Sequence, residues 1–312
     1  MVIMPRFLPI IALCVLLGSP AQAQQARLLV STDWLEANLN QPDLVILHAS
    51  SDGSDYEAEH IPGARLVLLD RIAWEGETGV GVELRRFAEI REALEEAGVS
   101  NTSTVVVYGS NPMHAARLWM TVDVAGAGGS EPLFLDGGIQ VWREEGRALS
   151  AQTPQASRGR LTLQPDPERL VTADWILVRL GHDYLSLVDA RPDDEYSGAD
   201  GGLGGRVNPG HIPSARQLYW EELVESRERP VFLPVGELAD LFLAAGADPE
   251  DTVVTYCQVG LRASVTYMIA RMLNYEARFF DGSWRDWGSR DYPHYPKKAV
   301  LRSQLLHPEH LD

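Results

Sequence analysis

The chain has 312 residues, 45% hydrophobic and 23% charged, a globular balance long enough for two separate cores. Its formal net charge of -17 opposes binding to nucleic acid or to an anionic membrane surface, so an anionic small molecule would need a local positive site. The cysteines are Cys14 and Cys257 only, which excludes a disulfide-rich scaffold.

The first element is a leader. Arg6 precedes an apolar run from Phe7 to Leu17, and the small-residue triplet Ala21-Gln22-Ala23 comes after it. This pattern reads as a signal peptide, residues 1–23, cut after Ala23; the apolar run is too short to span a bilayer. Leu13 stands before Cys14, where a lipoprotein would want a small residue. A soluble, exported protein, periplasmic or secreted, is expected. Cleavage would strand Cys257, leaving a buried inert thiol, an intermolecular bridge or a reactive thiolate as its possible roles.

The remainder of the chain is a duplication. "TDWLEANL" from 32 recurs as "ADWILVRL" from 173, and "EHIPGARLV" from 59 as "GHIPSARQL" from 210. "STVVVYGSNPMHAARLWM" from 103 matches "DTVVTYCQVGLRASVTYM" from 251, and "PLFLDGGIQVW" is echoed by "ARFFDGSWRDW". Each copy starts with a helix capped by Thr32 or Thr172, then a short apolar strand, "LVIL" or "LSLV". An acidic loop, the His-Ile-Pro element and a second helix ending at Gly98 or Gly246 come next. A β-branched strand, a loop, a third helix, a last strand and Asp-Gly complete the unit. Strands alternating with amphipathic helices predict an α/β fold with a mainly parallel sheet flanked by helices in each copy. The expected domains are 24–147 and 167–312, joined by a linker over 148–166 that holds the run "ALSAQTPQASRGR". The insertion "SGADGGLGGRVNPG", 197–210, lacks the Lys-Ser/Thr ending of a phosphate loop and reads as a surface excursion.

Cys257 comes directly after the strand "TVVTY", and a helix is expected from Ala263, so Cys257-Gln258-Val259-Gly260-Leu261-Arg262 forms a loop at the ligand-binding end of a parallel sheet. Such a loop can turn several backbone N–H groups toward one sulfur. The helix dipole and the Arg262 charge then favour a thiolate.

These features together resemble the tandem-domain rhodanese-family sulfurtransferases over essentially the whole mature sequence. The markers are His-Ile-Pro-x-Ala in both copies, "LVDARPDDEYSG" from 187 and "YCQVGLRAS" from 256. The resemblance implies an inactive amino-terminal domain and a catalytic carboxy-terminal one, with Cys257 as nucleophile. Aligning the copies sets Cys257 opposite Gly109, Arg262 opposite His114, and Asp189-Ala190-Arg191 opposite His48-Ala49-Ser50. It further implies that the loop residues Gln258 to Leu261 and Arg262 stabilise a persulfide, while Arg191 binds the donor's oxyanion end. A structural ion pair of Arg191 with Asp189 or Glu195 is the other reading. Asp189 and His211 are read as structural support and Trp284 as a wall of the pocket.

No cofactor and no metal are expected; the donor would be a small molecule and the acceptor cyanide, a thiol or a protein. Glu195 stands where mercaptopyruvate-type members carry a second arginine, and their loop "CGSGVT" differs from this one as well; Val259 stands where the thiosulfate-type loop "CRKGVT" carries lysine, a charge that Arg262 would replace. Donor identity therefore leans toward thiosulfate. A cysteine-dependent phosphatase would place five residues between Cys and Arg, and here four intervene.

Overall fold

The computed structural model describes residues 28–74, 81–155, 157–200, 208–291 and 295–298. The expected leader and the histidines from 307 lie outside the described residues, and the glycine-rich insertion is described only at its two ends. In chain order the first half forms β1 (Leu29–Val30), α1 (Thr32–Asn38), β2 (Leu44–Ser50), α2 (Ser54–Ala58), β3 (Arg65–Leu68), β4 (Ala73–Trp74) and β5 (Glu83–Leu84). It continues with α3 (Phe87–Glu96), β6 (Thr104–Gly109), α4 (Pro112–Ala125), β7 (Leu133–Leu135) and α5 (Gly138–Glu144). The second half gives β8 (Leu170–Val171), α6 (Ala173–Leu177), β9 (Leu185–Asp189), α7 (Asp193–Ser197), β10 (Arg216–Gln217) and α8 (Val235–Ala244). It ends with β11 (Thr252–Tyr256), α9 (Leu261–Met272), β12 (Glu276–Phe280) and α10 (Ser283–Ser289).

The strand order is β1-β7-β6-β2-β3 in one five-stranded sheet and β8-β12-β11-β9-β10 in the other, with every pairing parallel. Exchanging each strand for its counterpart turns one order into the other. The central strands β6 and β11 are β-branched and buried beyond their first residue, as a sheet covered on both faces requires. Three of the ten strands in these two sheets, β1, β8 and β10, are two residues long and carry no periodicity that a sequence reading could detect. The helix α1 is capped by Ser31, which accepts the Trp34 N–H at 3.1 Å, and not by Thr32, whose hydroxyl donates to Glu145 at 2.5 Å. In the second copy Thr172 does cap, accepting from Trp175 N–H at 3.2 Å.

The two halves meet along α4 and α9. Trp119 and Met120 share one buried cluster with Tyr267, Met268 and Phe279, and the Tyr267 hydroxyl donates to Asp123 at 2.8 Å. Two reciprocal bonds flank this contact. Asp281, in the Asp-Gly turn after β12, accepts the N–H of Leu84 at 2.7 Å; its counterpart Asp136, after β7, accepts the N–H of Phe232 at 3.0 Å. Each half thus closes the last turn of the other.

Candidate active site

Cys257 begins the connection from β11 to α9, and its side chain is wholly buried. The chain turns sharply because Gly260 takes φ +96, a conformation that disfavours any residue with a Cβ. Gly260 is the N-cap of α9, and its N–H donates to the Cys257 sulfur at 3.1 Å. The helix therefore starts at Leu261, two residues before the expected Ala263, and Arg262 belongs to its first turn rather than to the loop. Gly260 is the amide whose bond to the sulfur is resolved, in place of the expected ring of several.

The underside of the loop is held by the start of α10. Trp284 N–H donates to the Cys257 carbonyl at 2.9 Å and Arg285 N–H to the Gln258 carbonyl at 3.0 Å. Because N–H and C=O point oppositely across a trans peptide, the N–H groups of Gln258 and Val259 are turned away from α10. Ser283 accepts the Cys257 N–H at 3.2 Å and donates to the Phe280 carbonyl at 3.0 Å. It does so at φ 52, where the other copy has Gly138 at φ 55. The sequence pattern does not single out Ser283, although a serine in place of the second glycine of Asp-Gly-Gly is a visible signal.

The two arginines have different surroundings. Arg262, half-buried, makes a two-pronged pair with Glu195, both bonds at 2.8 Å. Burial works against its charge, yet the Glu195 hydrogen bonds and Coulombic attraction to Cys257 and Glu195 raise its pKa above the usual arginine value. Arg191 is 1% exposed, and its donors are engaged: Nε and Nη2 bond Asp189, Nη2 also bonds the Gly210 carbonyl at 2.9 Å, and Nη1 lies 3.4 Å from Gln258 Oε1. Its Cζ sits 4.8 Å from the ring centre of Trp284. This geometry favours the supporting reading of Arg191, as partner of Asp189, over contact with a donor's oxyanion. Glu195, read in the sequence as a missing arginine and as a candidate partner of Arg191, instead holds Arg262.

His211 stacks on Tyr196 at 3.9 Å with Nδ1 2.7 Å from the Tyr196 carbonyl, and His60 repeats this against Tyr56 at 3.8 Å and 2.7 Å. Burial lowers the His211 pKa, so the ring stays neutral at neutral pH. The same pin in the cysteine-free copy marks it as a fold element. Trp284 is fully buried and donates its indole N–H to the Asn208 carbonyl at 3.0 Å, so it underlies Arg191 from within the core. Val259 and Leu261 are half-buried at the loop's outer side, while Gln258 is buried with its Nε2 unpartnered among the described residues.

The equivalent place in the first copy has no sulfur. Gly109 ends β6, and Asp55 gathers bonds from Ser50 at 2.5 Å and His48 at 3.0 Å. Although its burial opposes ionisation, the hydrogen bonds from Ser50, His48 and Ser110 bring the Asp55 pKa down to about 2.

The rhodanese-like domain family matches this chain twice, over residues 31–145 and 172–290. The chain belongs to the rhodanese family. A protein named "Putative thiosulfate sulfurtransferase" from Mycolicibacterium smegmatis is 34% identical over 278 residues, covering 85% of this chain and 96% of that one. The "Sulfur carrier protein TtuD" of Thermus thermophilus is 31% identical over 276 residues, covering 84% and 94%. Among solved structures, YnjE superposes with a TM-score of 0.78 at 23% identity, covering 88% of this chain and 69% of that one. The anaerobic ergothioneine biosynthesis enzyme of Chlorobium limicola does so at 0.75 and 22%, covering 89% and 71%. At these identities the two structures share the rhodanese fold with this chain.

Proposed function

We propose that this rhodanese is an exported sulfurtransferase that moves a sulfane sulfur from thiosulfate, or a related donor such as 3-mercaptopyruvate, through a persulfide on Cys257. The acceptor is cyanide or a thiol. The observation that carries the reading is the Gly260 N–H on the Cys257 sulfur, 3.1 Å away at the start of α9, with Arg262 in the first turn of that helix. The Cys257 thiolate attacks the outer sulfur of thiosulfate; a new S–S bond forms, the donor's S–S bond breaks, and its electron pair leaves with sulfite. The acceptor then attacks the outer sulfur of the persulfide, and the electron pair of that bond returns to Cys257. The Gly260 amide and Arg262 stabilise the anionic sulfur in both states. Because the sulfur is fully buried, donor and acceptor need a local opening to reach it, and the same burial shields the persulfide between half-reactions.

Intact-mass spectrometry after mixing with thiosulfate tests residue and chemistry together. One added sulfur atom on the native chain and none on Cys257→Ser is expected, with thiocyanate released on adding cyanide. Absence of the added sulfur with both thiosulfate and 3-mercaptopyruvate removes the proposal. The likeness to TtuD supports a second reading, a persulfide carrier that turns thiosulfate over slowly and discharges rapidly to a particular protein. Export of the chain is tested by sequencing the mature amino terminus, expected at Gln24.

A further inference from the structure

Arg117 lies on α4, in the half that has no cysteine, and its side chain is fully buried. Nη2 donates to the Asp281 carboxylate at 2.7 Å and to the Val82 carbonyl, and Cζ sits 5.4 Å from the ring centre of Phe279. Nε and Nη1 have no hydrogen-bond partner among the described residues. An arginine buried with two unmatched nitrogens is expensive, and an apolar residue of similar volume would serve a plain interface better. Where those nitrogens point is informative: a Cβ added to Gly260 would lie 3.1 Å from Arg117 Nη1. The guanidinium thus rests against the residue whose amide holds the Cys257 sulfur. In the repeat alignment Arg117 falls opposite Val265, so the arginine stands only on the side that faces the sulfur loop.

We infer that Arg117 is a positioning residue of the sulfur site, supplied by the cysteine-free domain. Anchored by Asp281, it backs the turn at Gly260 and adds positive potential behind the Cys257 sulfur. The inference rests on Cys257 being the reactive sulfur, as proposed above. Three ion pairs from different elements flank the loop among the described residues: Arg262 with Glu195, Arg191 with Asp189, and Arg117 with Asp281. Tyr256, next to Cys257, is fully buried, and burial raises its pKa well above the usual value, so it stays neutral. The first two pairs lie within the catalytic half. The third crosses between the halves, which gives the cysteine-free domain a direct hold on the reactive turn.

The test is the pH midpoint of iodoacetamide alkylation of Cys257 in the full chain, read by intact mass beside sulfur loading from thiosulfate. Arg117→Gln is expected to move the midpoint up by about half a pH unit or more. Arg117→Lys keeps the charge and is expected to stay near the native midpoint. Asp281→Asn removes the negative partner and is expected to move the midpoint down. Tyr267→Phe, which loses a bond to Asp123 in the same helix interface, is expected to leave it unchanged. A simple loosening of the interface would move the Gln, Asn and Phe variants the same way, and that outcome overturns the inference. So does a native midpoint in folded Arg117→Gln. Should Arg117→Gln fail to fold, the opposite sign expected for Asp281→Asn still decides, because an unchanged or raised midpoint there overturns it. Alkylation needs no sulfur donor, so failure of native protein to load sulfur counts against the proposed function and is read separately from these shifts.

Discussion

Glu195 holds Arg262 by two parallel hydrogen bonds of 2.8 Å, Nη1 to Oε1 and Nη2 to Oε2. The planar fork fixes where the guanidinium points in the first turn of α9, and a lysine ammonium cannot copy it. With the role proposed for Arg262 on the anionic sulfur, Arg262→Lys is therefore expected to lower kcat/KM for thiosulfate about tenfold, equivalent to ~1.4 kcal/mol. Glu195→Gln keeps one acceptor oxygen and should show a smaller change. Steady-state kinetics of the three proteins checks the ranking; identical kcat/KM values would take Arg262 out of the stabilisation of the sulfur.

Arg191 belongs to a different balance. Removing it leaves Asp189, itself fully buried, without its counter-charge, a loss in the range of about 3–5 kcal/mol. Arg191→Ala should lower the urea midpoint accordingly, while the folded fraction retains a nearly native KM. A native midpoint joined to a raised KM would return Arg191 to the donor.

Much of the site is legible in the sequence, for reasons that particular residues explain. The His-Ile-Pro repeats stand out because His60 and His211 each clamp a tyrosine of the preceding helix, Tyr56 and Tyr196, and Cys257 is placed by the β-branched run of β11. Helix starts are less legible. Ser31 and Thr32 both suit a cap, and a glycine at positive φ can start a helix at Leu261 while leaving no apolar period to mark it. The Arg117–Gly260 approach depends on how two domains dock, and the arginine lies in the copy that lacks the sulfur. Local pattern carries no information about such a contact. The role of Glu195 is hidden for a related reason, since its partner lies across the fold on α9.

Ser283 offers a test of strain against hydrogen bonding. Its φ of 52 costs of order 1 kcal/mol for a residue with a side chain, and its hydroxyl satisfies the buried Cys257 N–H. Ser283→Ala keeps the strain and loses the bond; Ser283→Gly loses the bond and relieves the strain. Thermal unfolding should rank native above Gly and Gly above Ala, and an alanine variant more stable than the glycine variant would contradict this.

Asp136 predicts a pH dependence. Burial is the main cause that raises its pKa from 3.8 to about 6, against the hydrogen bonds from Phe232 and Gly137. The folded state then binds a proton that the unfolded state has released between those values. Its contribution to stability is fully present below pH 3.8 and is lost as pH rises through about 6. Asp136→Asn can still accept the Phe232 N–H and escapes that loss. It should be more stable than the native chain at pH 7.5, by up to ~3 kcal/mol, with the difference vanishing near pH 4. Urea titrations at the two pH values measure it, and an equal difference at both would rule out this origin.

The exchanged turn contacts, Leu84 to Asp281 and Phe232 to Asp136, have a consequence for how the duplicated chain can be divided. A fragment cut in the linker would expose a carboxylate whose amide donor now sits on a separate molecule, along with the apolar flank of α4 or α9. Two such fragments expressed together would find one another and rebuild the native pair. The cysteine-bearing piece alone would be a folding problem before it was a chemical one.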